Sequence, residues 1–299
     1  MDTVYLGTTD FAATVLERLA ASPHRPALVL TRPDRPRGRG RKLAPPPVAD
    51  RTRELGIELL QPEDVNSPEA GERIARARPA AVCVCAFGAL IREPLLSAYE
   101  MLNVHPSLLP RWRGAAPVER ALEAGDRATG VSIMRPNAEL DEGPVFLQRR
   151  AAIDPEDDYG SLAARLAELS GELLVETLDT HPEPMPQSAD GVTYAAKIER
   201  AERRLDPALP ADVLARRVRA LNPHIGTYLE LGEGEQLGVK KAGAAGGSGG
   251  AAGELDRDGD RLLLGTGHGA LTLLEVQPAG GRPMDALAWW RGHRREVNG

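Results

Sequence analysis

The chain has 299 residues, with 43 Asp and Glu against 37 Lys and Arg, and a net charge of −6. That length suffices for two domains with separate cores, and the acidic balance excludes a surface that attracts nucleic acid everywhere, so any RNA contact must come from a local basic patch. The two cysteines, Cys83 and Cys85, alternate in one apolar run, a spacing that suits neither a disulfide nor a zinc site and reads as buried thiols. No stretch of about 18 apolar residues occurs and the first residues carry no basic, then apolar, leader pattern, so the expectation is a cytoplasmic protein without a membrane contact.

Thr3 to Leu6 is a short apolar run closed by Gly7, and Thr8, Thr9 and Asp10 offer caps to an amphipathic segment from Phe11 to Ala21. With a second apolar run from Ala27 to Thr31, this spells strand, helix, strand, with parallel strands and a right-handed crossover. Gly7 is not followed by the dinucleotide glycine pattern, which argues against a nicotinamide or flavin cofactor. Residues 32–47 carry six cations against one acid and are rich in Pro and Gly, predicting a long mobile basic loop with no helix or strand. Helices over 49–55 and 68–77 and a short strand over 57–60 follow. Ala80 to Phe87, apolar on both faces, is a buried central parallel strand. Gly88, within Phe87-Gly88-Ala89-Leu90-Ile91, lets backbone approach a flat ligand between apolar walls, although the same residues also suit an ordinary strand-to-helix turn.

Met101 to His105 is the next strand. Asn103 and His105 stand two residues apart, so both side chains leave by one face. Pro106 and Pro110 end the ladder just beyond them, placing the pair at a strand's carboxyl end, where open parallel sheets bind ligands. A satisfied core histidine is the plainer alternative. A helix over 115–124 and strands over 129–135 and 144–151 come next, with Asp141 in the turn between the strands, a position that a local cap also explains. Leu162, Leu166, Leu169, Leu173, Leu174 and Leu178 form a helical stripe, and the Pro-rich run 181–191 reads as an extended linker. Beyond it, a helix over 211–221, short runs at 226–231, 236–240, 260–264 and 271–276, and a closing helix over 283–292 predict a small antiparallel barrel or sheet. The Gly, Ala and Ser run 242–253 reads as a flexible loop.

The phrase Asn-Val-His-Pro-Ser-Leu-Leu-Pro from Asn103, followed by Arg-Trp-Arg-Gly-Ala-Ala-Pro from Arg111, resembles the signature of formyltransferases that use 10-formyltetrahydrofolate, most closely the branch acting on methionyl-tRNA. The resemblance implies an α/β fold: a Rossmann-like, mostly parallel sheet in a catalytic domain (1–189), a linker (190–206) and a smaller C-terminal OB-like β-barrel domain (207–299) that binds tRNA. It places Asp141 in a leucine-aspartate-x-glycine element that completes a triad with Asn103 and His105. It assigns the folate pocket to Phe87, Gly88, Leu90, Ile91, Ser107, Leu108, Leu109, Pro110, Leu140 and Gly143, with Phe87 where the family has tyrosine. The basic loop, with Arg35, Arg37, Arg39, Arg41 and Lys42, resembles the family's insertion that meets the acceptor end of initiator tRNA, and Arg39 matches the arginine held important there. Thr193 to Ile198 and Arg219 to Pro223 resemble the start of the family's C-terminal domain, where Arg216, Arg217, Arg219, Lys240 and Lys241 are candidate phosphate contacts. Pro144 after Gly143, and Asp206-Pro207 for an aspartate-tryptophan, depart from the pattern.

Formyl transfer to an amine needs donors aimed at an oxygen that gains negative charge and a group that passes a proton to the departing nitrogen. An Asn amide donates without changing charge, and a His oriented by Asp both donates and transfers protons. The implied enzyme is a monomer that needs 10-formyltetrahydrofolate as co-substrate and no metal. The same triad also serves transfer to a small amine, such as glycinamide ribonucleotide or an amino sugar nucleotide. A non-catalytic RNA-binding module is the alternative from another class, and the intact triad argues against it.

Overall fold

The computed structural model of the chain describes residues 2–37, 40, 42–245 and 250–297, and the elements below are those of the described residues. The first unit opens with β1 (Thr3–Gly7), α1 (Asp10–Ala20) and β2 (Pro26–Leu30). Thr9 caps α1 by accepting the Ala12 N–H, while Asp10 in the first turn and Arg18 in the last match the helix dipole. Along the chain then come β3 (Arg35–Arg37), β4 (Lys42–Ala44), α2 (Pro47–Glu54), β5 (Glu58–Leu60), α3 (Pro68–Ala77), β6 (Ala81–Cys85), α4 (Leu95–Ala98), β7 (Met101–His105), β8 (Arg113–Gly114), α5 (Pro117–Ala124), β9 (Ala128–Met134), β10 (Val145–Ala152), α6 (Tyr159–Thr180) and β11 (Tyr194–Ala195), of which α5 past Pro117 and the first turn of α6 belong to the second unit.

The main sheet runs β10-β9-β7-β6-β1-β2-β5, parallel from β7 to β5 and antiparallel at β9 and β10. Every residue of β1 and β6 is buried, as parallel strands covered on both faces require. The chain steps from β1 outward to β2 and β5, then returns to β6 on the other side of β1. That reversal opens a crevice at the carboxyl ends of β1 and β6, where the Thr8 hydroxyl donates to the Phe87 carbonyl at 2.7 Å and ties the two strand exits together.

Two expectations are corrected. Residues 32–47 are not loop throughout: β3 and β4 pair antiparallel, Arg35 with Ala44 and Arg37 with Lys42. In a two-stranded ribbon alternate backbone groups face outward, so Pro36 costs the ladder little. Arg39 and Arg41 lie outside the described residues. The Gly-Ala-Ser run is not loop from its start either, because β13 (Gln236–Ala245) carries Ala242 to Ala245 into register with Leu273 to Ala270. Its backbone is paired there and its small side chains add little to the core, Ala242 being the one of these that packs against it.

The chain forms two compact units that interleave along the sequence. The first holds residues 1–117, 128–152 and 163–195; the second holds 118–127, 153–162 and 196–299. The run 181–191 therefore folds with the first unit, anchored where Met185 bridges Val145 and where β11 pairs parallel to β8. In the second unit come α7 (Ala211–Leu221), β12 (Thr227–Glu230), β13, β14 (Leu255–Asp258), β15 (Arg261–Gly265), β16 (Ala270–Gln277), β17 (Met284–Asp285) and α8 (Ala286–Val297). The strands form an antiparallel sheet in the order β12-β13-β16-β15-β14, with β17 on β16. Leu214 and Val218 of α7 and Trp289 of α8 pack with Leu237, Val239 and Leu271 into its core. No helix among the described residues is long and apolar enough to cross a membrane.

Candidate active site

β7 lies between parallel β6 and antiparallel β9, so Asn103 faces Val84 on one side and Met134 on the other, and His105 faces Ser132. Strand alternation sends both side chains to one face. The Asn103 amide is half-buried and makes no side-chain hydrogen bond among the described residues, which leaves its donors open to a ligand. His105 is buried, with 4% of the residue's surface exposed. Its Nε2 stands 2.8 Å from the Trp112 carbonyl. A carbonyl only accepts, so Nε2 carries a proton and Nδ1 is the nitrogen left for chemistry. Nδ1 faces Asp141 Oδ2 at 3.5 Å, an ion-pair distance rather than a hydrogen bond.

Asp141 reaches this place through its backbone: φ is +51°, in the left-handed region. Its Oδ2 accepts the Gly114 N–H at 2.9 Å, so the carboxylate is held between the peptide donor and the imidazole. Ala86, at φ +43°, and Trp112, at φ +63°, are also left-handed non-glycine residues, and both belong to the site's surroundings. Such backbone strain persists only where surrounding structure over-determines it, and it gathers at functional sites.

Asn103, His105 and Asp141 line one cavity of about 370 Å³, with Phe87 and Gly88 on its wall. A second, of about 230 Å³, shares Asn103 and Asp141 and is walled by Leu90, Ile91 and Leu140. Leu90 is 67% and Leu140 61% exposed, large apolar surface left bare beside polar groups. A third cavity, of about 450 Å³, shares Phe87 and Gly88 with the first and is lined by Thr8, Arg32 and Arg35. The cavity lined by Asn103, His105 and Asp141 thus adjoins a more apolar one and a basic one through shared lining residues.

The remaining folate candidates fall outside these cavities. Ser107 is buried and donates to the Arg111 carbonyl at 2.6 Å. The Leu109 N–H donates to Ser132 Oγ, and the Ser132 hydroxyl donates to the Ser107 carbonyl. Leu108 packs against Gly130, where any Cβ would collide with it, and the Pro110 carbonyl accepts the Thr193 N–H. Gly143 fits where a Cβ would overlap the Arg135 carbonyl. Together they hold the loop after β7 and the Asp141 turn in place.

Of the basic candidates, Arg35 and Lys42 are exposed on the β3–β4 hairpin beside Leu43, itself 71% exposed; Arg37 belongs to β3. Arg216 donates to the Glu123 carbonyl and pairs with Asp212, Arg217 pairs with Glu123, and Arg219 donates to the Pro155 and Asp157 carbonyls, all inside the second unit. Lys241 has one long, exposed contact to Glu275, and Lys240 has no ion pair among the described residues. Sequence reading missed Arg113, Gln187 and Thr193, which bond to the loops that carry Trp112 and Asp141. Arg113 lies within the signature phrase; Gln187 sits in a Pro-rich run with no periodicity to mark it.

Cys83 and Cys85 lie on the buried β6, and burial pushes both thiols up to about 12. They are inert core groups rather than nucleophiles.

Residues 1–178 match the family model described as formyl transferase, and residues 197–294 match that of the formyl transferase C-terminal domain. The chain is 42% identical over 296 residues to the methionyl-tRNA formyltransferase of Ruegeria pomeroyi, covering 98% of this chain and 97% of that protein. It is also 42% identical over 298 residues to that of Halorhodospira halophila, covering 97% and 96%. Among solved structures, methionyl-tRNA formyltransferase from Clostridium thermocellum matches with a TM-score of 0.59 at 13% identity, over 83% of this chain and 95% of that one. HypX from Aquifex aeolicus in complex with tetrahydrofolic acid matches with a TM-score of 0.64 at 18% identity, over 95% of this chain and 46% of that one; these two likenesses concern the fold. The chain belongs to the formyl transferase family, in its methionyl-tRNA formyltransferase branch.

Proposed function

We propose that this protein transfers the formyl group of 10-formyltetrahydrofolate to the free amino group of methionyl-initiator tRNA, giving N-formylmethionyl-tRNA for translation initiation. The observation that carries the reading is the single cavity lined by Asn103, His105 and Asp141. Bound there, 10-formyltetrahydrofolate supplies an electrophilic carbon attached to nitrogen. The flat faces of the folate's ring systems suit walls made by Phe87, Gly88, Leu90, Ile91 and Leu140. As the amine attacks, negative charge grows on the formyl oxygen, and the open Asn103 amide donates to it. A preorganised donor of this kind is worth about 10²- to 10³-fold in rate. His105, its Nε2 fixed by Trp112, exchanges protons through Nδ1 between the incoming amine and the departing nitrogen, and Asp141 holds the ring's orientation and balances its charge.

The amine arrives from the basic side. Arg32 and Arg35 line the cavity that shares Phe87 and Gly88 with the reaction cavity, Lys42 is exposed on the β3–β4 hairpin, and the sequence between them adds Arg37, Arg39 and Arg41 to the basic character of this segment. The C-terminal unit binds the tRNA body, with Lys240 and Lys241 less committed to internal pairs than the candidates Arg216, Arg217 and Arg219. The enzyme works in the cytoplasm as a monomer.

The test supplies purified protein with 10-formyltetrahydrofolate and, separately, charged initiator tRNA, charged elongator tRNA, glycinamide ribonucleotide and an amino sugar nucleotide, and follows the formylated amine. Formylation of the initiator species alone is expected. Transfer only to a small amine would leave the hairpin and C-terminal unit without the tRNA role given them here.

A further inference from the structure

We infer that Gln187, oriented by Arg113, is a positioning residue that fixes Asp141 against His105. The inference rests on the catalytic reading of Asn103, His105 and Asp141 given above. The turn carrying Asp141 has little to hold it by itself: Asp141 is left-handed, and Leu140 beside it is exposed. Two of its backbone carbonyls are held by one side chain. Gln187 Nε2 donates to the Asp141 carbonyl at 2.7 Å and to the Gly143 carbonyl at 2.8 Å, spanning the turn on both sides of Glu142.

The far end of the same amide settles its orientation. Gln187 Oε1 accepts from Arg113 Nε at 3.1 Å and Nη2 at 2.9 Å. A guanidinium only donates, so the amide oxygen must face Arg113 and the NH2 must face the two carbonyls; a flipped amide would set donor against donor and acceptor against acceptor. Arg113 is itself buried, at 7% exposed, and its Nη1 pairs with Glu142 at 2.8 Å. One guanidinium thus holds Gln187 and the middle of the Asp141 turn together. The next residue, Gly114, donates its N–H to Asp141 Oδ2, and the Arg113 N–H donates to the Thr193 carbonyl. Backbone and carboxylate of Asp141 are therefore located from one short segment, 113–114.

Gln187 does not line the cavity that holds the three catalytic residues, so it acts through Asp141. Losing its two donated bonds releases the turn from the left-handed conformation and swings the carboxylate off His105 Nδ1. Misplacement of a catalytic group by about 1 Å costs on the order of 10²-fold.

The experiment measures kcat and both KM values of formyl transfer for wild type, Gln187→Met, Gln187→Glu, Asp141→Asn and Asp141→Asn with Gln187→Met. Gln187→Glu keeps the chain length and the contact to Arg113 while removing both donors, and it serves if Gln187→Met folds poorly. Both Gln187 variants are expected to lose roughly 10- to 100-fold in kcat with each KM within about twofold of wild type. In the Asp141→Asn background the second substitution is expected to cost nothing further, since Gln187 acts through that carboxylate. Wild-type kcat in either folded Gln187 variant would overturn the role, as would a loss that simply adds to that of Asp141→Asn. If those results came with active wild-type enzyme, the positioning role would fall alone; wild-type protein that transferred no formyl group would take down the functional reading and this role with it.

Discussion

Asn103 and His105 share a cavity because a strand alternates its side chains, whereas Asp141 joins them only because its backbone adopts φ +51° and Gly114 holds its carboxylate. Beneath them, burial raises the Cys83 and Cys85 thiols from an ordinary 9.0 to about 12. Above pH 9 the unfolded chain gives up thiol protons that the native protein keeps, so this contribution to stability is intact below pH 9 and is lost as pH climbs toward 12. Unfolding free energy measured by denaturant titration should fall between pH 9 and 11 more steeply in wild type than in a Cys83→Ala, Cys85→Ala variant. Equal slopes would contradict the burial of both thiols. The spacing of Asn103 and His105 was legible in the sequence because period 2 is a property of neighbouring residues. The partnership of Asp141, 36 positions beyond His105 by residue number, depends on strand order and turn geometry, and only the family resemblance pointed to it. Gln187 carried no such signal: its contacts are made by a side chain in a run whose prolines read as a linker.

Elements with clear periodicity or unbroken apolar runs were readable: α3 covers the expected 68–77 and β7 the expected 101–105, while β6 (Ala81–Cys85) lies inside the apolar run Ala80 to Phe87. The β3–β4 hairpin and the end of β13 were not, since Pro, Gly and Ala have weak strand preference and acquire their pairing from the partner strand. For the hairpin, Arg35→Ala should weaken binding of initiator tRNA and lower the slope of log affinity against log salt by about one, with single-turnover transfer at saturating tRNA within about twofold of wild type. An unchanged slope would remove Arg35 from the tRNA path. At the turn from β1 into α1, a Cβ on Gly7 would lie 2.7 Å from the Tyr5 ring and 2.9 Å from the Ala12 Cβ. Gly7→Ala must therefore push the strand and helix apart, and it should cost about 1–3 kcal/mol in denaturant unfolding; a neutral result would show that this turn relaxes freely.

At the scale of the whole molecule, an acidic chain of net charge −6 meets a polyanion only through local basic surface, which the proposed function assigns to the hairpin beside the β1/β6 crevice. The parallel strand-helix-strand opening and the buried central strand were readable from pattern alone, while the Rossmann-like, mostly parallel sheet as a whole was implied by the family resemblance. The interleaving of the two units was not, because assigning 118–127 and 153–162 to the second unit depends on contacts between distant segments. Both units serve one reaction in this account, with transfer chemistry in the first. The most direct measurement is single-turnover transfer of a labelled formyl group from 10-formyltetrahydrofolate to initiator methionyl-tRNA by wild type and by His105→Asn, each shown to be folded. The account predicts N-formylmethionyl-tRNA from wild type and a transfer rate lower by about 10²-fold or more in His105→Asn. Undiminished transfer by His105→Asn, or none by wild type, would contradict it.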